Sequence, residues 1–256
     1  MPKTYFASDF HLGTDYGDDT SRERERRIVR WLDQCARDAD AIYLVGDVFD
    51  FWFEYKRVVP RGFVRLLGKL AELSDGGLPL YFFTGNHDLW MRTYFEEELG
   101  IPTYRAPIRR TIYGKSMMIG HGDGLGPGDK GYKRMKKVFV HPMAKWLYRQ
   151  VHPDTGIGVA DFWSHRSRNT QPAPRGFLGP EGEWLVAYCE RKIEQEEIDY
   201  FVFGHRHLPI DHTLSNGTSR YLNLGEWMTY RSYGILHDSG EMEVAFFENE
   251  AGQIFG

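Results

Sequence analysis

Apolar runs in this chain end again and again in the same way, with a carboxylate, an amide or an imidazole. The blocks are Asp9-Phe10-His11, Gly46-Asp47-Val48-Phe49-Asp50, Gly85-Asn86-His87-Asp88, His121-Gly122-Asp123 and Gly204-His205-Arg206-His207. Ile42 to Val45 leads into Asp47, Leu80 to Phe83 into Asn86, Met117 to Ile119 into His121, and Tyr200 to Phe203 into His205. Short apolar runs bounded by turn residues read as buried strands. Strand ends are where an open sheet presents groups to a ligand. A chain built this way is expected to gather oxygen and imidazole donors at one sheet edge, which is what a hydrolytic metal centre needs.

The rest of the chain sets bounds on that reading. Its 256 residues suffice for one sizeable core, so residues 1–256 are expected to form a single domain. A net charge of −4 gives no general attraction to nucleic acid, and no nucleic-acid partner is expected. Two cysteines, Cys35 and Cys189, are too few for a disulfide framework and suit a reducing compartment. No basic flank precedes an apolar leader, and no run of about 18 apolar residues is present. Contact with a membrane is therefore expected only at its surface.

Strands are expected at Lys3–Ser8, Ala41–Val45 and Leu80–Thr84, with helices at Arg22–Arg37, Gly62–Leu73 and Thr93–Leu99. A hairpin is expected around Gly114, a helix over Glu183–Glu197, and late strands at Tyr221–Leu224, Tyr233–His237 and Met242–Glu248. Early alternation and late antiparallel strands predict an α/β sandwich of layers.

Residues 124–182 break this rhythm and are read as a helical cap inserted after the His121 block. Lys130 to Gln150 contains Lys133, Arg134, Lys136, Lys137, Lys145 and Arg149, with no acidic residue. Aromatic and aliphatic residues lie among them, and Pro142 should interrupt any single helix.

The donors suggest the chemistry. Asp9, His11, Asp47, Asn86, His121, His205 and His207 supply three oxygen-bearing and four imidazole side chains. That mixture suits two borderline cations, Mn2+ first, with Fe2+ or Zn2+ as alternatives, better than Mg2+. The two oxygens of Asp47 allow it to bridge both. His87 can stabilise or protonate a leaving oxygen, with Asp88 expected to orient its ring. Asp50 and Asp123 are expected to orient ligands. His141, His152, His165, His212 and His237 are read as ordinary surface or core residues.

In order and over nearly the whole chain, the blocks resemble the calcineurin-like metallophosphoesterases. The resemblance implies a two-sheet β-sandwich flanked by helices, with metals at one sheet edge. It implies that Asp9, His11, Asp47 and His207 hold one metal. It implies that Asp47, Asn86, His121 and His205 hold the other, with His87 catalytic.

Ser8-Asp9-Phe10-His11-Leu12-Gly13, Gly46-Asp47-Val48-Phe49-Asp50-Phe51-Trp52, the His121 block and Gly204-His205-Arg206-His207-Leu208-Pro209 are similar, more narrowly, to the UDP-2,3-diacylglucosamine hydrolases. That likeness implies cleavage of a UDP-linked acylated sugar at its α-phosphorus, giving UMP and a diacylated sugar phosphate for lipid A synthesis. It implies a cytoplasmic protein peripheral to the inner membrane. Asn86, Asp129 and Tyr132 match positions used near the substrate, and Ser167-Arg168 matches a Ser–basic pair in the cap. One position departs, because many of those hydrolases carry Arg where His87 stands. The alternatives are another phosphoesterase of the superfamily, acting on nucleotides or general diesters, and a non-catalytic scaffold of the same fold.

Overall fold

A computed structural model describes residues 1–126, 130–159 and 176–256. Two mixed sheets face each other, and helices cover their outer faces, as the α/β sandwich expectation requires. In the first sheet, β1 (Lys3–Ala7), β2 (Ala39–Val45), β3 (Leu80–Phe83) and the two-residue β4 (Thr103–Tyr104) run parallel. On the other side of β1, β10 (Ser232–His237) and β11 (Met242–Phe246) continue the sheet antiparallel. The second sheet runs β5 (Ile108–Ile112), β6 (Lys115–Gly120), β7 (Tyr200–Phe203), β9 (Arg220–Leu224), β8 (Pro209–Thr213), with β6, β7 and β9 parallel.

Side-chain alternation along the strands builds three apolar layers. Tyr5 and Ala7 of β1 pack outward with Ile28, Trp31 and Leu32 of α1 (Ser21–Cys35) and Leu66 and Leu70 of α2 (Val64–Asp75). Phe95 of the short α3 (Tyr94–Leu99) joins that layer. Phe6 points the other way, into the space between the sheets, where it meets Val45, Phe83, Ile119, Val202 and Leu222. Behind the second sheet, Leu185, Val186 and Cys189 of α6 (Trp184–Ile193) pack on Phe201, Phe203 and Tyr221. Cys35 and Cys189 are free and buried, so both serve as packing residues.

Some element boundaries differ from expectation for local reasons. Thr20 accepts from the Glu23 amide while the Glu23 carboxylate accepts from the Thr20 hydroxyl, which starts α1 one residue before Arg22. The last helix stops at Ile193 rather than Glu197, once its buried face has run out. Strand β8 was not anticipated, because its proline opens an edge strand and its alternation is weak.

Between β6 and β7, α4 (Lys130–Val140) and α5 (Pro142–Tyr148) are divided at Pro142, which occupies the first turn of α5. Residues 153–159 form a further helical turn. Among the described residues, no helix is long and apolar enough to cross a membrane.

Candidate metal centre

Parallel strands with shared register end side by side, and this places the blocks together. At the first sheet's edge, β1, β2 and β3 deliver Asp9 and His11, Asp47 and Asp50, and Asn86 and His87. β6 and β7 of the second sheet deliver His121, His205 and His207 to the same end. Loop backbones are joined across these edges. The amides of Asp9 and His11 donate to the carbonyls of Gly46 and Asp47, and Gly204 N donates to His121 O, each at 3.0 Å.

The backbone leaves the strands in an unusual conformation. Asp9, His11, Asp47, His205 and His207 all have φ between 45° and 67°. The left-handed region is costly for non-glycine residues and is concentrated at functional sites. Two glycines permit the close packing behind these turns. A side-chain carbon on Gly85 would lie 2.7 Å from the Asp47 carboxyl carbon, and one on Gly204 would lie 2.5 Å from Asp9 Oδ2.

Two groups of donor atoms converge on a shared Asp47, beside a third made of His11, Asp50 and His87. Asp9, His11, Asp47 and His207 form one, and Asp47, His121 and His205 the other, with the donors of each group within 4.8 Å of one another. Asp9 Oδ1 lies 3.1 Å from His207 Nε2 and 3.7 Å from His11 Nε2. Asp47 Oδ2 lies 3.1 Å from His121 Nε2 and 3.9 Å from His11 Nε2. Asn86 Oδ1 approaches His121 Nε2 to 3.3 Å, which adds the amide to the second group.

Several features of this arrangement fit a pair of cations. Asp9 Oδ1 and Asp47 Oδ2 are buried and have no hydrogen-bond partner. A buried carboxylate oxygen left so is costly, and a cation satisfies it. His121 Nδ1 lies 3.0 Å from Val45 O, and His11 Nδ1 lies 3.3 Å from Asp50 Oδ1. Those oxygens accept, so each Nδ1 carries the proton and each Nε2 is left with its lone pair toward the cluster.

Charge within the cluster points the same way. Burial would raise the Asp9 carboxyl, but His207, His11 and His121 outweigh it and hold Asp9 well below the usual range. Asp47 is lowered likewise: burial is outweighed by His121, His87 and His11. Burial would lower His11 and His121, yet Asp50 and Asp9 push His11 up to about 10, and Asp47 does the same to His121. The carboxylates thus draw in positive charge, which divalent cations can provide in place of protons.

His87 stands beside this cluster. Its amide donates to Asp47 Oδ1 at 2.8 Å, and its ring meets the His11 ring edge-on at 4.8 Å. Asp88 does not orient that ring as expected. Its two oxygens accept from the amides of Val48, at 3.0 Å, and Gly85, at 2.6 Å. They tie the Asp47 loop to the Asn86 loop. Burial and the neighbouring Asp47 push Asp88 up to about 7. The ring's partner is Asp50, whose carbonyl accepts from His87 Nδ1 at 2.9 Å.

Arg24 stands among the charged residues of α1, yet it is fully buried. It donates to the carbonyls of Phe10, His11 and Thr14 and pairs with Asp19. No local signal separates it from the exposed arginines around it, because its acceptors are carbonyls made available by the His11 turn.

Helices α4 and α5 pack on the loops of the site. Trp90 Nε1 donates to Phe139 O at 2.8 Å, and the Tyr148 ring lies 4.7 Å from Trp90 and 4.6 Å from Phe53. Tyr132 donates to Asp123 at 2.5 Å, and Lys136 pairs with the same carboxylate. Asp123 thus pairs directly with side chains of α4. Asp129, Ser167, Arg168 and His165 lie outside the described residues.

Comparison with known proteins agrees with this geometry. The family described as calcineurin-like phosphoesterase matches residues 2–209. A UDP-2,3-diacylglucosamine hydrolase from Porphyromonas gingivalis is 40% identical over 246 residues, covering 91% of this chain and 93% of that protein. One of the same name from Shewanella baltica is 29% identical over 248 residues, covering 93% and 94%. Among solved structures, a dimetal phosphatase from Danio rerio superposes with a TM-score of 0.51 at 12% identity, covering 96% of this chain and 99% of that one, which speaks to the fold.

Proposed function

The chain belongs to the calcineurin-like phosphoesterase family, and from that membership we propose that it cleaves UDP-2,3-diacylglucosamine to UMP and 2,3-diacylglucosamine 1-phosphate. The observation that carries the chemistry is Asp47 Oδ2, buried, without a hydrogen-bond partner, and facing imidazoles of both donor groups. The relatives' shared name over most of the chain supports the substrate.

Asp9, His11, Asp47 and His207 would hold one cation, and Asp47, Asn86, His121 and His205 the other, Mn2+ being the first candidate. Bound there, two divalent cations supply Lewis acidity and a water of lowered pKa. The protein's own groups do the rest. Asp50 O fixes the His87 tautomer, so that Nε2 is the atom that exchanges a proton with the departing oxygen. Asp88 holds the two ligand loops at fixed separation.

The insertion supports an acylated substrate taken from a membrane surface. Val138, Met143 and Trp146 are 61%, 64% and 58% exposed, among Lys133, Arg134, Lys137, Lys145 and Arg149. Apolar residues interleaved with cations on short helices suit an interface bearing anionic lipid. This is the basis for a peripheral location on the cytoplasmic face of the inner membrane, with residues 124–182 acting as a cap.

His87 favours a second reading, a phosphodiesterase of broader range, since it keeps the superfamily histidine. UMP release from UDP-2,3-diacylglucosamine in detergent micelles, with and without Mn2+, decides between them when run beside a simple aryl phosphodiester. Metal-dependent UMP release that is lost in Asp47→Ala supports the lipid substrate. Turnover of the aryl diester alone overturns it.

A further inference from the structure

A cavity of about 460 Å3 opens against His121, between the loop after β4 and helix α4. Among the described residues, its lining includes Arg105, Lys133, Lys136 and Lys137, against one carboxylate, Asp123. Lys133, Lys136 and Lys137 fall at helical spacings that put them on one face of α4. Asp123 is taken by Lys136. Lys133 donates to the Gly126 carbonyl, and Arg105 donates to the carbonyls of Met91 and Arg92. Among the described residues, neither Lys133 nor Arg105 has a carboxylate partner, and neither does Lys137. Phe83, Pro107 and Val140 supply apolar wall.

Among the described residues, four cations against one carboxylate leave an excess of positive charge beside the proposed metal ligand His121. A second cavity, about 380 Å3, is lined at Asp50 and, among the described residues, has Arg61 as its only cationic side chain beside the carboxylates of Asp50 and Asp154. The charge is therefore one-sided. Carbonyl-bound guanidinium and ammonium groups keep their full charge for an incoming anion, and Arg and Lys are the usual partners of phosphate oxygens.

We propose that this cavity is a subsite for a second phosphate, the one that departs with the sugar, and that Arg105 and Lys137 make the centre selective for diphosphates over simple phosphodiesters. The proposal rests on the diphosphate reading above. A phosphodiester with one phosphorus, held at Asp47, sends no phosphate into the cavity. A diphosphate held there at its α-phosphorus places its β-phosphate one bridging oxygen away. The volume suits a sugar phosphate head group rather than phosphate alone.

The test uses Arg105→Gln with Lys137→Gln in the full chain loaded with Mn2+. For UDP-2,3-diacylglucosamine, KM is expected to rise about tenfold or more, the scale of a lost charged hydrogen bond. The ratio of kcat/KM on the diphosphate to that on bis(p-nitrophenyl) phosphate is expected to fall by a similar factor. Glucosamine 1-phosphate should inhibit aryl diester hydrolysis by the wild type, and about tenfold more weakly in the variant. An unchanged ratio, or equal or absent inhibition by glucosamine 1-phosphate, overturns the subsite. If the wild type releases no UMP but the inhibition difference persists, the lipid substrate fails and the phosphate subsite stands.

Discussion

The Arg24 guanidinium donates to the His11 carbonyl at 2.9 Å from a position with no solvent exposure. Through the same side chain, α1 grips the carbonyls of Phe10 and Thr14 on either side of His11. The left-handed His11 backbone is thus held by a charge on the neighbouring helix, and the direction of a proposed metal ligand depends on a residue outside the donor cluster.

Arg24→Met should therefore lower stability by about 3 kcal/mol, because several buried carbonyls and Asp19 lose a charged donor together. It should also weaken metal binding. Chemical denaturation and calorimetric Mn2+ titration check the two effects separately. Full metal affinity in a destabilised variant would show that the clamp serves folding alone.

Gly85→Ala tests close approach rather than flexibility. The added carbon would press on the Asp47 carboxyl group and on the Asp47 amide, 2.8 Å away. Displacing Asp47 disturbs both donor groups, so turnover should drop at least about a hundredfold, as for misplaced catalytic groups. Metal content by elemental analysis should fall as well.

His87→Ala and Asp47→Ala should separate proton transfer from metal holding. His87→Ala is expected to retain metal and lose about 10²–10⁴ in turnover. Asp47→Ala is expected to lose both. Wild-type metal content in Asp47→Ala would contradict a shared ligand.

Asp88→Asn should behave as a structural change. An amide in place of the carboxylate can accept from only one of the Val48 and Gly85 amides, at a cost of about 1–3 kcal/mol for the buried donor left over. Asp50→Asn should act on turnover, through the His11 hydrogen bond. Thermal melts and rate measurements on both variants check this division.

Chelation should destabilise the wild type. Buried Asp9 and Asp47 then lose their counter-charge, and saturating metal at about a hundredfold over Kd contributes about 2.7 kcal/mol. The melting temperature should rise with added Mn2+ in the wild type and respond little in Asp47→Ala. An equal response in both would place the stabilising ion elsewhere.

The ligand blocks were legible in the sequence because their signal is local. An apolar run, a turn and a donor are adjacent in the chain, and strand ends in a parallel sheet must lie side by side. Asp9, His11, Asp47, Asn86, His121, His205 and His207 could therefore be read as one group, and Pro142 as a helix break, from residues alone. The tertiary structure decided the partners that sit far apart in sequence. Asp50 rather than Asp88 faces His87, because Asp88 turns back to accept from two loop amides. Arg24 is buried while Arg22 and Arg26 beside it are not, because the carbonyls that satisfy it belong to another element. Arg105 lines one cavity with the α4 lysines only once a sheet edge and α4 are packed together. A charged residue looks the same in sequence whether water or a folded carbonyl satisfies it, and only packing tells the two apart.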